Sequence, residues 1–168
     1  YLKGIQYIIP AYKKIIEQYP NACLLLANAI GDYSSEVKQS LQALPSSSYR
    51  ESLFEEDVMA LYKVFDVFIH VPIDKSTEAY GLVYIEALAS GVPSVVTISG
   101  IAEEFIENDK NALVVSYQNS DAIFEAVLRI VNDTQLKNKL SVEGKKIIKE
   151  KFDVKVTARR LEEFYNSI

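Results

Sequence analysis

EAYGLVYIEALASGVPSVVTI, residues 78–98, runs from a loop carboxylate through a glycine, a short apolar helix and a β-branched strand. The spacing predicts a helix from Leu82 to Ala89, stopped by Gly91 and Pro93, and then a buried parallel strand over Ser94 to Ile98. From Ala79 to Ala102 the single formal charge is Glu86. A carboxylate among Tyr84, Ile85, Ala87, Leu88 and Ala89 costs several kcal/mol unless something hydrogen-bonds to it, so Glu86 is expected to face a polar site.

Gly81 allows a sharp turn and brings main-chain N–H groups close to a ligand, and the helix behind it points its positive end the same way. An anion, most simply a phosphate, fits that place. Helical side chains lean toward the N-terminus, so Glu86, about one turn further in, can reach neutral hydroxyls such as those of a ribose. A bland alternative is open at this point: a helix start with no ligand, and Glu86 in an internal ion pair.

Working outward, Ile5, Ile8, Ile9, Tyr12, Ile15 and Ile16 make one apolar face of an opening helix that Pro10 should kink. Strands are expected at Ala22 to Ala27, Tyr49 to Leu53, Asp66 to Val71 and Ala112 to Val115, with Gly31-Asp32 ending the loop after the first. Helices are expected over Ser35 to Leu44, after the acids Glu55, Glu56 and Asp57, from Ser99-Gly100 onward, and from a cap at Ser120 or Asp121. Two more follow over Thr134 to Lys151 and Asp153 to Ile168. Strands alternating with helices through short links indicate an α/β fold, a Rossmann-like parallel sheet covered on both faces, in one domain spanning residues 1–168.

The net charge of −5 argues against a nucleic-acid partner. Cys23, the single cysteine, sits in an apolar run, where packing and a reducing compartment are the natural expectations. No stretch is long and apolar enough to cross a bilayer and no signal peptide opens the chain, which suggests a cytoplasmic location. There is no CxxC pair, HExxH, Walker loop or Asp-x-Asp, so no metal is expected. His70, the single histidine, lies near a strand's carboxyl end, and a hydrogen-bonded structural role is favoured over a direct catalytic one. Ser76 or Ser99 with His70 and Asp74 has the composition of a nucleophilic triad but no nucleophile-elbow sequence.

Glu78 and Glu86, with seven residues between them in EAYGLVYIEALASGVPSVV, resemble the E-x7-E signature of the retaining group 1 (family 4) glycosyltransferases, usually met as EGFGLxxxEAMAxGxPVV. Gly81, Ala87, Gly91, Pro93 and the following strand agree with it, as do Lys3-Gly4, Asp66-Val67-Phe68 and Asn111-Ala112-Leu113-Val114. The resemblance implies the C-terminal, donor-binding half of a two-domain GT-B enzyme. The first strand of this domain, an arginine after it and the acceptor-binding N-terminal domain would precede Tyr1.

It further implies transfer of a sugar from a nucleoside diphosphate sugar to an acceptor hydroxyl with retention and without a metal or other cofactor. Glu78 would lie by the transferred sugar as the catalytic carboxylate, and Glu86 would hold the ribose. Lys3 and the backbone at Gly81 and Leu82 would meet the diphosphate, and Ser52 and Leu53 would lie near the base. Gly100 would let a backbone approach the donor, although Ser99-Gly100-Ile101-Ala102 departs from the usual Gly-Gly-x-Pro-Glu. The last helix would pack across the second domain, and glycan or lipid-linked acceptors and peripheral membrane contact would involve that missing domain. Alternatives are a non-catalytic partner subunit and a nucleotide-sugar epimerase on the same fold.

Overall fold

Ile8, Ile9, Ala11, Tyr12 and Ile15 are buried on one face of α1 (Ile5–Gln18), and each large apolar side chain so placed contributes about 2 kcal/mol. The helix continues through Pro10, and α1 lies against α5 (Ser120–Asn132) and α2 (Ser34–Gln42). The structure is a computed structural model that describes residues 2–27, 34–52 and 56–168. The expectations for Gly31-Asp32, Leu53 and Glu55 lie outside the described residues.

Among the described residues, five short strands pair in parallel. β1 (Leu24–Ala27) pairs with β2 (Tyr49–Ser52), in register Leu24 with Tyr49. β4 (Ser94–Val96) lies between β3 (Phe68–His70) and β5 (Leu113–Val114), with His70 opposite Val96 and Val96 opposite Val114. Alternation along β4 sorts the helices into two layers. Val95 packs with Ile9, Tyr12 and Ile15 of α1 and with Val127 and Ile130 of α5. Val96 packs on the other side with Tyr84 and Leu88 of α4 (Leu82–Ser90) and Ile148 of α6 (Thr134–Phe152). The fold is therefore the expected α/β arrangement, with helices on both faces.

Among the described residues the strands form two hydrogen-bonded sets, with no ladder between β1 and β3. Both sets nevertheless lie under α1: Leu24 and Ile69 pack against the same cluster of Ile8, Ala11 and Val71.

Three local expectations are corrected. The segment after Ser99 is a 3₁₀ helix, Gly100–Glu104, rather than an α-helix. Asn119, not Ser120 or Asp121, caps α5, its side chain accepting the Ala122 N–H at 2.9 Å. Cys23, just before β1, is exposed rather than packed; its neighbours Ala22 and Leu24 are the ones that pack against the core. Of the acidic cluster before α3 (Val58–Lys63), Asp57 has a specific task, accepting the Ala60 N–H at 2.8 Å as the N-cap. The last helix, α7 (Val154–Tyr165), has no buried residue and exposes Leu161 and Phe164.

Candidate functional site

The carboxyl ends of β3 and β4, the start of α1 and the start of α4 meet at one edge of the sheet, where open α/β sheets carry their ligands. Gly4 holds the start of α1 there. A Cβ on it would stand 1.9 Å from the Val71 carbonyl oxygen, so only glycine allows the chain this close to the end of β3. Leu2 reinforces the contact, its carbonyl accepting the Ile73 N–H at 3.0 Å.

Lys3 is thereby brought to Glu78. Its ammonium lies 2.6 Å from Glu78 Oε1, and His70 Nε2 lies 2.9 Å from the same oxygen. The carboxylate can only accept, so the imidazole N–H donates. The Glu78 side chain is 9% exposed. The His70 hydrogen bond, opposed by burial and aided by Lys3, holds its carboxyl down at about 2. Glu78 is thus a fixed negative charge at neutral pH.

The loop carrying Glu78 is pinned by Ser99, which is fully buried. Its hydroxyl accepts the Glu78 N–H at 2.9 Å and donates to the Lys75 carbonyl at 3.1 Å. Gly100 N–H also reaches the Lys75 carbonyl, and Ile101 N–H reaches that of Tyr80. Gly100 packs directly on this loop, since a Cβ there would lie 2.8 Å from Tyr80 O and 3.1 Å from Glu78 Cβ. Neither serine of the candidate triad serves His70: Ser76 donates to Asp74, and Ser99 holds the loop.

Gly81 precedes α4 with φ at 90°, the left-handed region, and its α-carbon lies against the Tyr84 ring, 2.8 Å from where a Cβ would stand. The turn directs the first N–H groups of α4, at Leu82 and beyond, out of the helix end. Tyr84 anchors that end, donating from its hydroxyl to the Thr97 carbonyl at 2.8 Å. Burial first, then the Glu78 charge, push the Tyr84 phenol up, which keeps it a donor.

Glu86 is half-buried and accepts a hydrogen bond from the Tyr62 hydroxyl at 3.1 Å. Among the described residues it has no ion pair, so the internal salt bridge of the bland alternative is not formed. The structure thus brings Lys3, Glu78, Gly81 and Gly100 together and carries Glu86 on the same helix as Gly81's turn. Ser52 ends β2, in the other strand pair rather than in this cluster. Reading the sequence missed the His70 bond to Glu78 and the Ser99 clamp. His70's place at the carboxyl end of a strand was the available signal for the first; an isolated loop serine gave none for the second.

The model of the family described as "Glycosyl transferases group 1" matches residues 1–147. The chain belongs to the group 1 glycosyl transferases. A relative in this family, the uncharacterized glycosyltransferase MJ1607 of Methanocaldococcus jannaschii, is 31% identical over 154 residues, which are 90% of this chain and 38% of that protein. The chain spans about two fifths of the length of the curated relatives it matches. Among solved structures, Anabaena Alr3699/HepE in complex with UDP and glucose shares the fold at a TM-score of 0.85 and 23% identity, covering 99% of this chain and 45% of that one. The C-terminal domain of the group 1 glycosyl transferase LpcC from Francisella tularensis also shares it, at a TM-score of 0.77 and 24% identity over 91% of this chain and 81% of that one. The group 1 glycosyl transferase fold seen here is thus the GT-B fold of its C-terminal half. Among its described residues no helix is long and apolar enough to cross a membrane.

Proposed function

We propose that this chain is the donor-binding half of a glycosyltransferase that moves a sugar from a nucleoside diphosphate sugar to an acceptor hydroxyl with retention. The observation that carries the reading is the ionised Glu78, held beside Lys3 at the glycine turn that opens α4. Lys3 and the N–H groups at Gly81 and Leu82 stabilise the leaving diphosphate, where negative charge grows in the transition state. Glu78 faces the transferred sugar, binding its hydroxyls and favouring the positive charge that develops at the anomeric carbon. Glu86 takes the ribose hydroxyls, with Tyr62 as its present partner. Gly100 serves the donor by letting the 3₁₀ helix close on the Glu78 loop, and Ser52 and Leu53 border the base. No step in this scheme calls on a metal or other cofactor.

The likeness to a structure that holds UDP and glucose supports the class of ligand. The share of its relatives that this chain covers supports an acceptor domain elsewhere in the protein. A further parallel strand between β1 and β3 would join the two sets into one sheet. The acceptor, a glycan or a lipid-linked hydroxyl, and any peripheral contact with a membrane would be met by that other domain.

The division of labour is tested by titrating the Glu86→Ala and Glu78→Gln variants with a nucleoside diphosphate and with its sugar conjugate. Glu86→Ala is expected to weaken both ligands about tenfold or more, and Glu78→Gln to remove only the gain that the sugar adds. Equal losses for both ligands in both variants would refute it.

A further inference from the structure

Glu78 has two cationic or N–H partners of unlike character. The Lys3 side chain is 59% exposed, whereas that of His70 is 10% exposed. The imidazole lies nearly parallel to Phe68, with ring centroids 6.2 Å apart, and meets Tyr84 edge-on at 4.8 Å. Its own backbone is tied into the sheet, the His70 carbonyl accepting the Thr97 N–H. Tyr84 is fixed in turn by its bond to the Thr97 carbonyl, and Thr97 by its hydroxyl on the Pro72 carbonyl. His70 is therefore a donor with little rotational freedom, and Lys3 is one with much.

Both donors fall on Oε1. Among the described residues none falls on Oε2. An ammonium as exposed as Lys3 is drawn away by a diphosphate arriving at the start of α4, because two phosphate groups carry more charge than one carboxylate. The imidazole has no such alternative. Resting on the donor reading above, we infer that His70 is a positioning residue for sugar recognition: it keeps Glu78 Oε1 fixed when Lys3 transfers to the diphosphate, so that Oε2 is presented to a hydroxyl of the donor sugar. His70 does not touch the nucleotide, so its contribution appears only with the sugar-bearing ligand. Lys3, Tyr84 and His70 are the titratable groups facing Glu78 from the start of α1, from α4 and from β3.

Two substitutions separate this role from simple packing. His70→Phe keeps a ring between Phe68 and Tyr84 and removes the donor; His70→Gln restores an N–H at a similar reach and removes the ring. Calorimetric titration of the wild-type chain, both variants and Glu78→Gln with UDP and UDP-glucose, or with GDP and GDP-mannose where the guanine pair binds, reads the affinity gained from the sugar. His70→Phe is expected to keep nucleoside diphosphate affinity within about threefold while losing about tenfold or more of the sugar-dependent gain, and His70→Gln to recover most of that gain. In the ligand-free chain, carboxyl NMR should show the Glu78 midpoint rising in His70→Phe and staying low in His70→Gln. Loss of the gain in Glu78→Gln but not in His70→Phe would overturn the inference and leave the donor reading standing. Equal weakening of both ligands by His70→Phe, or no recovery with His70→Gln, would also overturn it. A folded wild-type chain that binds neither nucleotide nor nucleotide sugar would remove the donor reading, and the inference with it.

Discussion

Lys3 Nζ lies 2.6 Å from Glu78 Oε1 across 75 residues of sequence, so the cation at the start of the chain is neutralised by the loop that precedes α4. An ion pair with one end this exposed adds little to stability, about 0 to 1 kcal/mol. Its consequence lies in binding. Lys3→Met is expected to leave the melting temperature nearly unchanged, to weaken nucleoside diphosphate binding about tenfold, and to flatten its salt dependence. Titrations at two salt concentrations check this, and an unchanged affinity would take Lys3 out of the site.

The depressed carboxyl of Glu78 makes stability depend on acid. Its folded value is about 2 against an ordinary 4.5. Its contribution is therefore fully present above about pH 4.5 and is lost as pH falls through that range toward 2. The amount is on the order of 2 to 3 kcal/mol. Urea unfolding across this window should show a steeper loss for the wild type than for Glu78→Gln; parallel curves would count against the His70 bond.

Two glycines are fixed by what lies beside them. Gly4→Ala would drive a Cβ to 1.9 Å from a main-chain oxygen, so the start of α1 must move, at a cost of about 3 kcal/mol or more. Gly81→Ala meets a left-handed backbone and the Tyr84 ring at 2.8 Å, for about 1 to 3 kcal/mol. Denaturant unfolding should rank both below wild type, Gly4→Ala lower. Gly4→Ala should also weaken nucleotide binding by displacing Lys3.

Tyr62 is the neighbour that orients Glu86. Burial first, then the Glu86 charge, push its phenol up, so it remains a donor through neutral pH. Tyr62→Phe is expected to cost about 1 kcal/mol of stability and to weaken nucleotide binding a few-fold, well short of Glu86→Ala. Equal effects would mean that Glu86 matters only as a structural acceptor.

The sheet and its helices were legible because period and punctuation coincide. Gly91 and Pro93 stop α4, the Val95 and Val96 run makes β4, and the isoleucine stripe makes α1. Gly81 and Glu86 stood out as a flexible and a charged residue in an apolar stretch, whereas Glu78 entered through the resemblance. What was not legible depended on contacts between distant segments. Nothing near Ser99 indicates that its hydroxyl would take the Glu78 N–H, and the sequence separation of eight between His70 and Glu78 does not reveal that they share a bond. The helix expected after Ser99 became a 3₁₀ turn because its backbone is tied to Lys75 and Tyr80. Asn119 displaced Ser120 as the cap of α5 because its amide oxygen reaches Ala122 N–H from one residue earlier.

Binding of a nucleoside diphosphate through Glu86 and the start of α4 is read by calorimetric titration of the chain with UDP, GDP and ADP, repeated on Glu86→Ala. Saturable binding of one nucleotide, lost in the variant while its fold is retained, is the predicted result. A folded wild-type chain that binds none of the three, or a variant that binds as well as the wild type, would contradict it.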